Sequence, residues 1–252
     1  MSKVERVLLM GGPGTGKTYH IAEVCRWLAE RDKEMWVLDL EDKVEAFLAG
    51  QGGIPENMHL KVALMWEEIR EVIDEWKGKV KVGNWVAVDR VDLSWPMTQR
   101  WYTQQRFKEE LADRMLKSAQ SITPSAMMIP RFAEGAWQVI NENYDYFITN
   151  ILYLFRCNVL LTAGVRASGD DVSPFETFSN VGVVPRGQKE LPHQPHSVLL
   201  LGNETERDRL GKVVSRSWHY TTAKDLPGRE YADKEMLFSF PLQYLEQHMK
   251  EV

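Results

Sequence analysis

The feature that most constrains this chain is the run Gly11-Gly12-Pro13-Gly14-Thr15-Gly16-Lys17-Thr18 near its start. It follows an apolar segment, Val4 to Met10, and precedes a stretch in which apolar residues recur at helical spacing. Glycines let the backbone bend tightly, so several N–H groups can point at one phosphate. The N-terminus of the following helix adds partial positive charge at the same place. Because every fixed position of the pattern G-x-x-x-x-G-K-[ST] is filled, we predict a nucleotide-binding loop between a strand and a helix.

Side chains of this loop predict how a nucleoside triphosphate and its metal ion are held. Lys17 is expected to reach the β- and γ-phosphate oxygens, and the Thr18 hydroxyl is expected to ligate Mg²⁺. The predicted cofactors are therefore ATP and Mg²⁺. The residues expected to line the nucleotide are Gly12, Pro13, Gly14, Thr15, Gly16, Lys17, Thr18 and Tyr19. A chance glycine turn, or a loop that binds without hydrolysis, is the structural alternative.

Short apolar segments alternate with helical patterns in the first part of the chain. Strands are predicted at Val4–Met10, Met35–Leu40, Met58–Leu64 and Trp85–Asp89, and helices at 17–30, Lys43–Ala49 and Trp66–Trp76. Strands and helices that alternate at this spacing are typical of a parallel sheet covered by helices. We therefore predict the α/β class, with a mainly parallel twisted sheet and helices on both faces.

The remainder of the chain is expected to complete one domain that spans residues 1–252. Residues 92–156 hold no clear strand and predict a largely helical insertion. Its helices are predicted at Thr98–Lys117 and Ala133–Phe155, with a loop at Ser121–Pro130. Beyond it, the pattern predicts a strand at Asn158–Ala163, a long loop at 164–195, an antiparallel hairpin at the C-terminal edge of the sheet (Ser197–Leu201 and Val213–Thr222) and a helix at Leu242–Lys250.

Composition restricts the environment and the partners. The formal net charge of −5 means that any contact with nucleic acid needs a local basic patch. No secretory signal is evident, and no apolar stretch approaches the ~18 residues of a membrane helix, so a cytoplasmic location without membrane contact is expected. Cys25 and Cys157 are expected to be buried free thiols. His193 and His196 lack a nearby carboxylate or thiolate, which makes them a poor metal site.

A second magnesium ligand is expected at the end of a buried strand. Asp89 follows the apolar residues Trp85-Val86-Ala87-Val88 and fits this role, with Asp92 as the nearby substitute. The structural alternative is an aspartate that caps a helix or turn. The residue after Asp89 is Arg90, whereas AAA+ ATPases usually place their catalytic glutamate there.

The tip of the second predicted strand supplies a different candidate for the base that aligns the attacking water. In Val37-Leu38-Asp39-Leu40-Glu41-Asp42 the sequence resembles the RecA-like ATPases, which place a catalytic glutamate in this setting. The resemblance implies that Glu41 is the base. The structural alternative is that Glu41 caps the next helix, where acids are favoured.

Two further roles follow from the RecA-like resemblance. RecA-like proteins use a polar residue on the strand beside the metal-binding aspartate to sense the γ-phosphate, which implies this role for Thr162. Related recombinases and hexameric helicases carry a basic finger that reaches the nucleotide of the adjacent subunit. Lys224 and Arg229 follow the last long strand and are the candidates, although their spacing departs from the short form of that motif. A solvated charged turn is the alternative.

Size and layout resemble the small phage-encoded RecA-like ATPases of single-strand annealing and recombination. That resemblance implies ATP hydrolysis between subunits of a homo-oligomeric ring or filament, with single-stranded DNA as the partner. Two loops would bind DNA, at about 90–97 and 164–190. Arg166, Arg186 and Lys189 are candidates for phosphate contacts and Trp95 for base stacking, with a core role as the alternative for the tryptophan.

Three other functions remain open from the sequence. A ring-shaped DNA translocase, such as a helicase or packaging motor, would share every nucleotide-binding residue. A small-molecule kinase would stay monomeric and would need several arginines in its lid, where the 164–190 loop supplies only Arg166 and Arg186. An AAA+ remodeller is disfavoured by Arg90 and by the lack of an evident C-terminal helical lid.

Overall fold

The computed structural model describes residues 4–120, 134–168, 178, 181–225, 234–235 and 245. In these ranges the strands are β1 (Arg6–Gly11), β2 (Met35–Asp39), β3 (Met58–Val62), β4 (Trp85–Asp89), β5 (Asn158–Ala163), β6 (Val165–Ala167), β7 (Val183–Pro185), β8 (Ser197–Arg207), β9 (Val213–Asp225) and β10 (Lys234–Glu235). The α-helices are α1 (Lys17–Ala29), α2 (Val44–Ala49), α3 (Trp66–Trp76), α4 (Ser94–Phe107), α5 (Leu111–Gln120) and α6 (Glu134–Thr149). Short 3-10 turns lie at Val91–Leu93 and Leu191–His193, and a π-helical turn at Asn150–Leu154 continues α6.

One twisted sheet organises the chain, with strand order β10-β9-β8-β1-β5-β4-β2-β3. Its six strands from β8 to β3 are parallel, while β9 pairs antiparallel with both β8 and β10. The α/β class, the mainly parallel sheet and the antiparallel hairpin at the C-terminal edge are therefore confirmed. All parallel strands point their carboxyl ends to one edge, where open α/β sheets bind ligands.

Helices cover the sheet on both faces, as predicted. Successive strand residues point to opposite faces, so Leu8 and Met10 pack on one side while Val7 and Leu9 pack on the other. The first side is covered by α3 and by the helices between β4 and β5, and the second by α1 and α2. Both cysteines, Cys25 and Cys157, are buried, and burial raises the pKa of each thiol to about 12.

Element boundaries depart from prediction at two places. The helix predicted over Thr98–Lys117 is broken, because Lys108 adopts a left-handed backbone (φ 57°) and ends α4. The C-terminal hairpin is longer than predicted, since β8 and β9 continue as a two-stranded ribbon to Arg207 and Val213. Polar residues on this exposed ribbon conceal the alternation of apolar and polar positions that marks a half-buried strand.

The predicted loop at 164–195 contains regular structure. Strands β6 and β7 form a small antiparallel sheet in which Val165 pairs with Pro185. Residues 169–177 and 179–180 lie outside the described residues, as do the predicted loop at Ser121–Pro130 and, apart from Leu245, the predicted helix at Leu242–Lys250. In the part of the chain that is described, no helix is long and apolar enough to cross a membrane.

Truncation of a central strand residue tests this core. Leu161 on β5 is fully buried, so Leu161→Ala should lower the free energy of unfolding by about 2–5 kcal/mol through lost burial and a cavity. Leu210 is 92% exposed in the turn of the ribbon, and Leu210→Ala should change stability by less than about 0.5 kcal/mol. Urea denaturation of both variants makes the measurement. Equal losses would contradict the assignment of β5 to the core.

Candidate nucleotide-binding and catalytic site

The glycine-rich loop joins β1 to α1 at the carboxyl edge of the sheet. Gly14 and Gly16 have φ of 75° and 91°, a left-handed conformation that side chains rarely tolerate. Helix α1 begins at Lys17, so its first N–H groups face the same space as the loop. Thr15 stabilises the loop, because its hydroxyl donates a 3.0 Å hydrogen bond to the Gly12 carbonyl. The strand, loop and helix predicted around an anion-binding turn are all present.

Lys17 curls over the loop. Its Nζ donates to the carbonyls of Gly11 and Gly12, at 2.8 and 2.7 Å. Burial lowers the pKa of the ammonium, and the positive charge of Arg90 acts in the same direction. An anion in the cleft would oppose both effects, so the position favours a negatively charged ligand.

Asp89 links three structural elements through its carboxylate. It accepts hydrogen bonds from the hydroxyl of Thr18 on α1, at 2.9 Å, and from that of Thr162 on β5, at 2.5 Å. The Thr162 oxygen in turn accepts the backbone N–H of Arg90, at 2.8 Å. Burial raises the pKa of Asp89, and the two hydroxyl hydrogen bonds oppose that shift. The structure thus brings together Thr18, Asp89 and Thr162, while their metal-binding and sensing roles stay predictions.

Asp39 caps the helix that follows β2. Its carboxylate is fully buried and accepts the backbone N–H groups of Glu41, Lys43 and Val44, at 2.9, 2.7 and 2.7 Å. This satisfies the open amides at the start of α2. The capping role that was the alternative for Glu41 therefore belongs to Asp39, and the Glu41 side chain faces the cleft.

Arg90 connects the candidate base to a second carboxylate. Its Nη1 donates to Glu41 Oε1 at 2.5 Å, while Nε and Nη2 form a fork on Asp92, at 2.9 and 3.0 Å. Asp92 is buried and also accepts the N–H of Gly164, at 3.2 Å. Both carboxylates raise the pKa of Arg90, with Asp92 the larger cause. Asp92, the substitute considered for the metal, is thus already engaged by a guanidinium.

These groups line a cleft of about 960 Å³ at the carboxyl edge of the sheet, within the size range of roughly 300–1,000 Å³ for ligand pockets. Lys17, Thr18, Glu41, Asp89 and Arg90 all contribute to its wall. The other lining residues are Gly11, Gly12, Pro13, Gly14, Gly16, Tyr19, His20, Glu23, Lys43, Phe47, Gly164, Val165, Arg186 and Trp218. The side chain of Thr15, which is also predicted to line the nucleotide, is buried within the loop, and its place at the nucleotide stays a prediction.

Aromatic side chains flank the loop. Tyr19 is partly exposed on the first turn of α1, and its ring meets that of Phe47 edge to face at 6.5 Å. Trp218 lies on β9, where its ring N–H points at the Gly14 carbonyl from 3.4 Å. Asn203, the cross-strand partner of Trp218, donates to the same carbonyl at 2.9 Å. The ribbon of β8 and β9 therefore holds the apex of the loop.

The basic residues predicted near the C-terminus lie apart from this cleft or outside the described residues. Lys224 Nζ donates to the carbonyls of Pro192, His193 and Pro195, at 3.3, 2.8 and 2.7 Å. Burial lowers its pKa. Arg229 lies outside the described residues. The finger role of both residues, which requires a second subunit, stays a prediction.

The first segment expected to contact DNA, 90–97, forms a 3-10 turn and the first turn of α4. Trp95 stacks on Trp137 at 6.1 Å between ring centroids and meets Tyr144 edge to face at 5.3 Å. It packs against the core, which was the structural alternative for this residue. In the second segment Arg166 and Lys189 are exposed, whereas Arg186 lies along the nucleotide cleft.

Comparison with known proteins agrees with this geometry. The family model AAA_24, described as an AAA domain, matches residues 3–225. The chain belongs to this AAA domain family. Its fold resembles a solved structure described as the RadB recombinase, with a TM-score of 0.50 and 12% sequence identity over 91% of this chain and 86% of that one. A search of curated proteins gives no match. The AAA domain described above thus shares its α/β fold with that recombinase, and it carries Arg90 directly after Asp89.

The chemistry of the site fits a magnesium nucleotide. The Thr18 hydroxyl and the Asp89 carboxylate supply the hard oxygen ligands that Mg²⁺ prefers. A cation beside Asp89 would favour its charged form, which burial disfavours. Among the described residues, no group of three or more His, Cys, Asp or Glu side chains could hold a metal. Mg²⁺ needs no such cage, because it commonly binds through one or two protein oxygens, substrate phosphates and water.

Loss of the Arg90 charge should expose how the candidate base is held. Arg90→Gln leaves Glu41 and Asp92 without their shared partner, and we expect a loss of about 2–4 kcal/mol in the free energy of unfolding. The double variant Arg90→Gln/Asp92→Asn removes the buried unpaired charge and should recover part of that loss. Urea denaturation measures both, with the exposed Arg100→Gln as control. A double variant no more stable than the single one would argue against the Asp92 fork.

Proposed function

We propose that this AAA domain binds ATP with Mg²⁺ and hydrolyses the bond between the β- and γ-phosphates. The observation that carries the proposal is the meeting of the glycine-rich loop, Thr18, Asp89 and Glu41 at one cleft, where Asp89 is also hydrogen-bonded to the buried Thr162. The match to an AAA domain family and the fold shared with a recombinase support this proposal. Phosphoryl transfer needs positioning and charge stabilisation more than covalent chemistry, and these residues supply both.

Each residue has a distinct part in the proposed reaction. Lys17 would turn from the loop carbonyls to the β- and γ-phosphate oxygens, while Thr18 and Asp89 would hold Mg²⁺, which would supply positive charge beside the phosphates. Glu41 orients the attacking water and accepts its proton through the carboxylate. The oxygen of that water bonds to the γ-phosphorus as the bond to the β,γ-bridging oxygen breaks, which gives ADP and phosphate. Thr162 reports the occupancy of the γ-phosphate site through its hydrogen bond to Asp89.

Arg90 explains how Glu41 is kept in place before substrate arrives. One carboxylate oxygen, Oε1, is bound by Arg90, so the other is available to the water. Lys43 lies 3.3 Å from that second oxygen, but its side chain is 67% exposed, so the contact is weak in water. The fork on Asp92 fixes the guanidinium, and through it the orientation of the base.

We further propose that the ATPase works on DNA, in single-strand annealing, strand exchange or a related recombination step of the phage type. The similar fold of a protein described as a recombinase supports this proposal, as does the exposed basic pair Arg166 and Lys189. Assembly into a homo-oligomer with nucleotide at the subunit interface would bring Lys224 or Arg229 of one subunit to the γ-phosphate of the next. Lys224 would first have to release the carbonyls of the 192–195 turn.

Replacement of the candidate base tests the hydrolysis mechanism. Glu41→Gln keeps the shape of the side chain but removes its ability to accept a proton, so kcat for ATP hydrolysis should fall by about 100- to 10,000-fold. ATP affinity should change little, because Glu41 lies beside the water and not among the phosphate ligands. Glu45→Gln, an exposed acid on the adjacent helix α2, should leave kcat unchanged and serves as control. Near wild-type turnover in Glu41→Gln would refute the assignment of the base.

The DNA proposal is tested by ATPase rate and by the salt dependence of binding. Single-stranded DNA should raise ATP turnover, and sizing in the presence of ATP should show an oligomer. Arg166→Glu/Lys189→Glu should reduce the magnitude of the slope of log K against log salt concentration by about 1.4, because binding with two fewer phosphate contacts releases fewer counterions. Lys212→Glu, in the turn of the ribbon, should leave the slope unchanged. A monomer whose turnover ignores DNA would instead favour a small-molecule kinase.

A further inference from the structure

Arg186 is fastened to the segment that leaves strand β5. Its backbone N–H donates to the Gly164 carbonyl at 2.8 Å, directly after the pairing of Val165 with Pro185 in the small β6–β7 sheet. Its Nε donates to the Val165 carbonyl at 3.0 Å. Main chain and side chain are therefore both anchored, and Arg186 is one of the residues that line the nucleotide cleft.

The surroundings of Gly164 show that Arg186 lies at the end of the cleft near Arg90. A Cβ at position 164 would lie 3.3 Å from Arg186 Cδ and 3.5 Å from Arg90 Nη2, so both arginine side chains pass close to this glycine. Arg90 is the residue that holds Glu41, the proposed base. Arg186 therefore lines the cleft near the proposed base, the end at which the proposed reaction would place the attacked phosphorus, while Trp218 contacts the apex of the loop at Gly14.

Charge balance distinguishes the two arginines. Arg90 is engaged by two carboxylates, Glu41 and Asp92, so its charge is already compensated within the protein. The Arg186 side chain is exposed and its Nε rests on a neutral carbonyl, which leaves its positive charge to act on a ligand. ATP differs from ADP by the γ-phosphate group, which carries the additional negative charge at this end of the cleft.

We propose that Arg186 binds the γ-phosphate of the ATP held by its own chain and so makes the site prefer ATP over ADP. The inference rests on the proposed function and deepens it. It moves Arg186 from the group of candidate DNA contacts to the nucleotide site. Arg186 would supply a cation from within the chain at the end of the cleft where a neighbouring subunit is proposed to contribute Lys224 or Arg229.

Nucleotide binding by variants of the full chain tests the proposal. The dissociation constants for ADP and for a non-hydrolysable ATP analogue, each with Mg²⁺, are measured by calorimetry for wild type, Arg186→Ala and Arg186→Lys. Arg186→Ala should weaken the ATP analogue by about 10- to 100-fold, the size of a lost charge-assisted hydrogen bond, and leave ADP nearly unchanged. Arg186→Lys should restore part of the preference. Arg216→Ala, an exposed arginine on β9 outside the cleft lining, should match wild type.

The outcomes separate this inference from the proposed function. Equal weakening of ADP and ATP analogue in Arg186→Ala would show a general effect on the cleft and would overturn the γ-phosphate assignment. Unchanged affinity for both nucleotides would overturn it as well, and the proposed ATPase would still stand if wild type hydrolyses ATP. Failure of wild type to bind either nucleotide would overturn the proposed function itself, and the inference with it. Thermal unfolding of each variant confirms that the chain compared is folded.

Discussion

The buried carboxylate of Asp89 is the interaction on which the functional edge of this molecule depends. Parallel pairing brings the ends of β2, β4 and β5 to one edge, but pairing alone does not fix side chains beyond the last ladder residue. Asp89 makes that connection, because hydroxyls from α1 and β5 both donate to it. A buried carboxylate that lost these donors would be strongly destabilised, so the loop, the helix and the two strands are held in one arrangement.

Two cations near Asp89, Arg90 and Lys17, differ in how their positive charge is neutralised. Arg90 takes a left-handed backbone conformation directly after β4, with φ of 63°, which turns its side chain back across the ends of the strands. Its fork on Asp92 and its contact with Glu41 then join β4 to β2. Lys17 has no carboxylate within hydrogen-bonding distance among the described contacts and rests on carbonyls instead. The charge of Arg90 is thus neutralised by two carboxylates, while the nearby charge of Lys17 is not, and an unpaired positive charge favours the binding of an anion in the cleft.

Local patterns predicted much of the fold and part of the site. The glycine-rich loop and the strand that ends at Asp89 each depend on a few adjacent residues, so the sequence alone predicts them, whereas Glu41 is a candidate through the RecA-like resemblance and its role stays a prediction. The partners of these residues could not be predicted, because Arg90 and Glu41 are 49 positions apart and meet only through the order of strands in the sheet. The aspartate two positions after Arg90 was a usable signal, since a buried acid needs a donor.

Three other features of the structure differ from the sequence-based predictions for physical reasons. The sequence after β5 predicts an irregular loop because β6 and β7 have three residues each, too few to show a period. Trp95 was a candidate for base stacking, but its ring is stacked on Trp137, a contact between α4 and α6 that no local pattern reveals. From the sequence, Asp39 is only part of the pattern around Glu41. In the structure its carboxylate accepts the N–H groups at the start of α2, a contact that the pattern does not predict.

The ribbon of β8 and β9 is attached directly to the glycine-rich loop. Its outer half projects beyond the parallel strands, yet its Asn203–Trp218 pair grips the carbonyl of Gly14. If the ribbon shifts relative to the sheet, either these two hydrogen bonds break or the apex of the loop moves with the ribbon. The Asn203–Trp218 pair therefore couples the position of the ribbon to that of the phosphate-binding backbone through two side-chain hydrogen bonds.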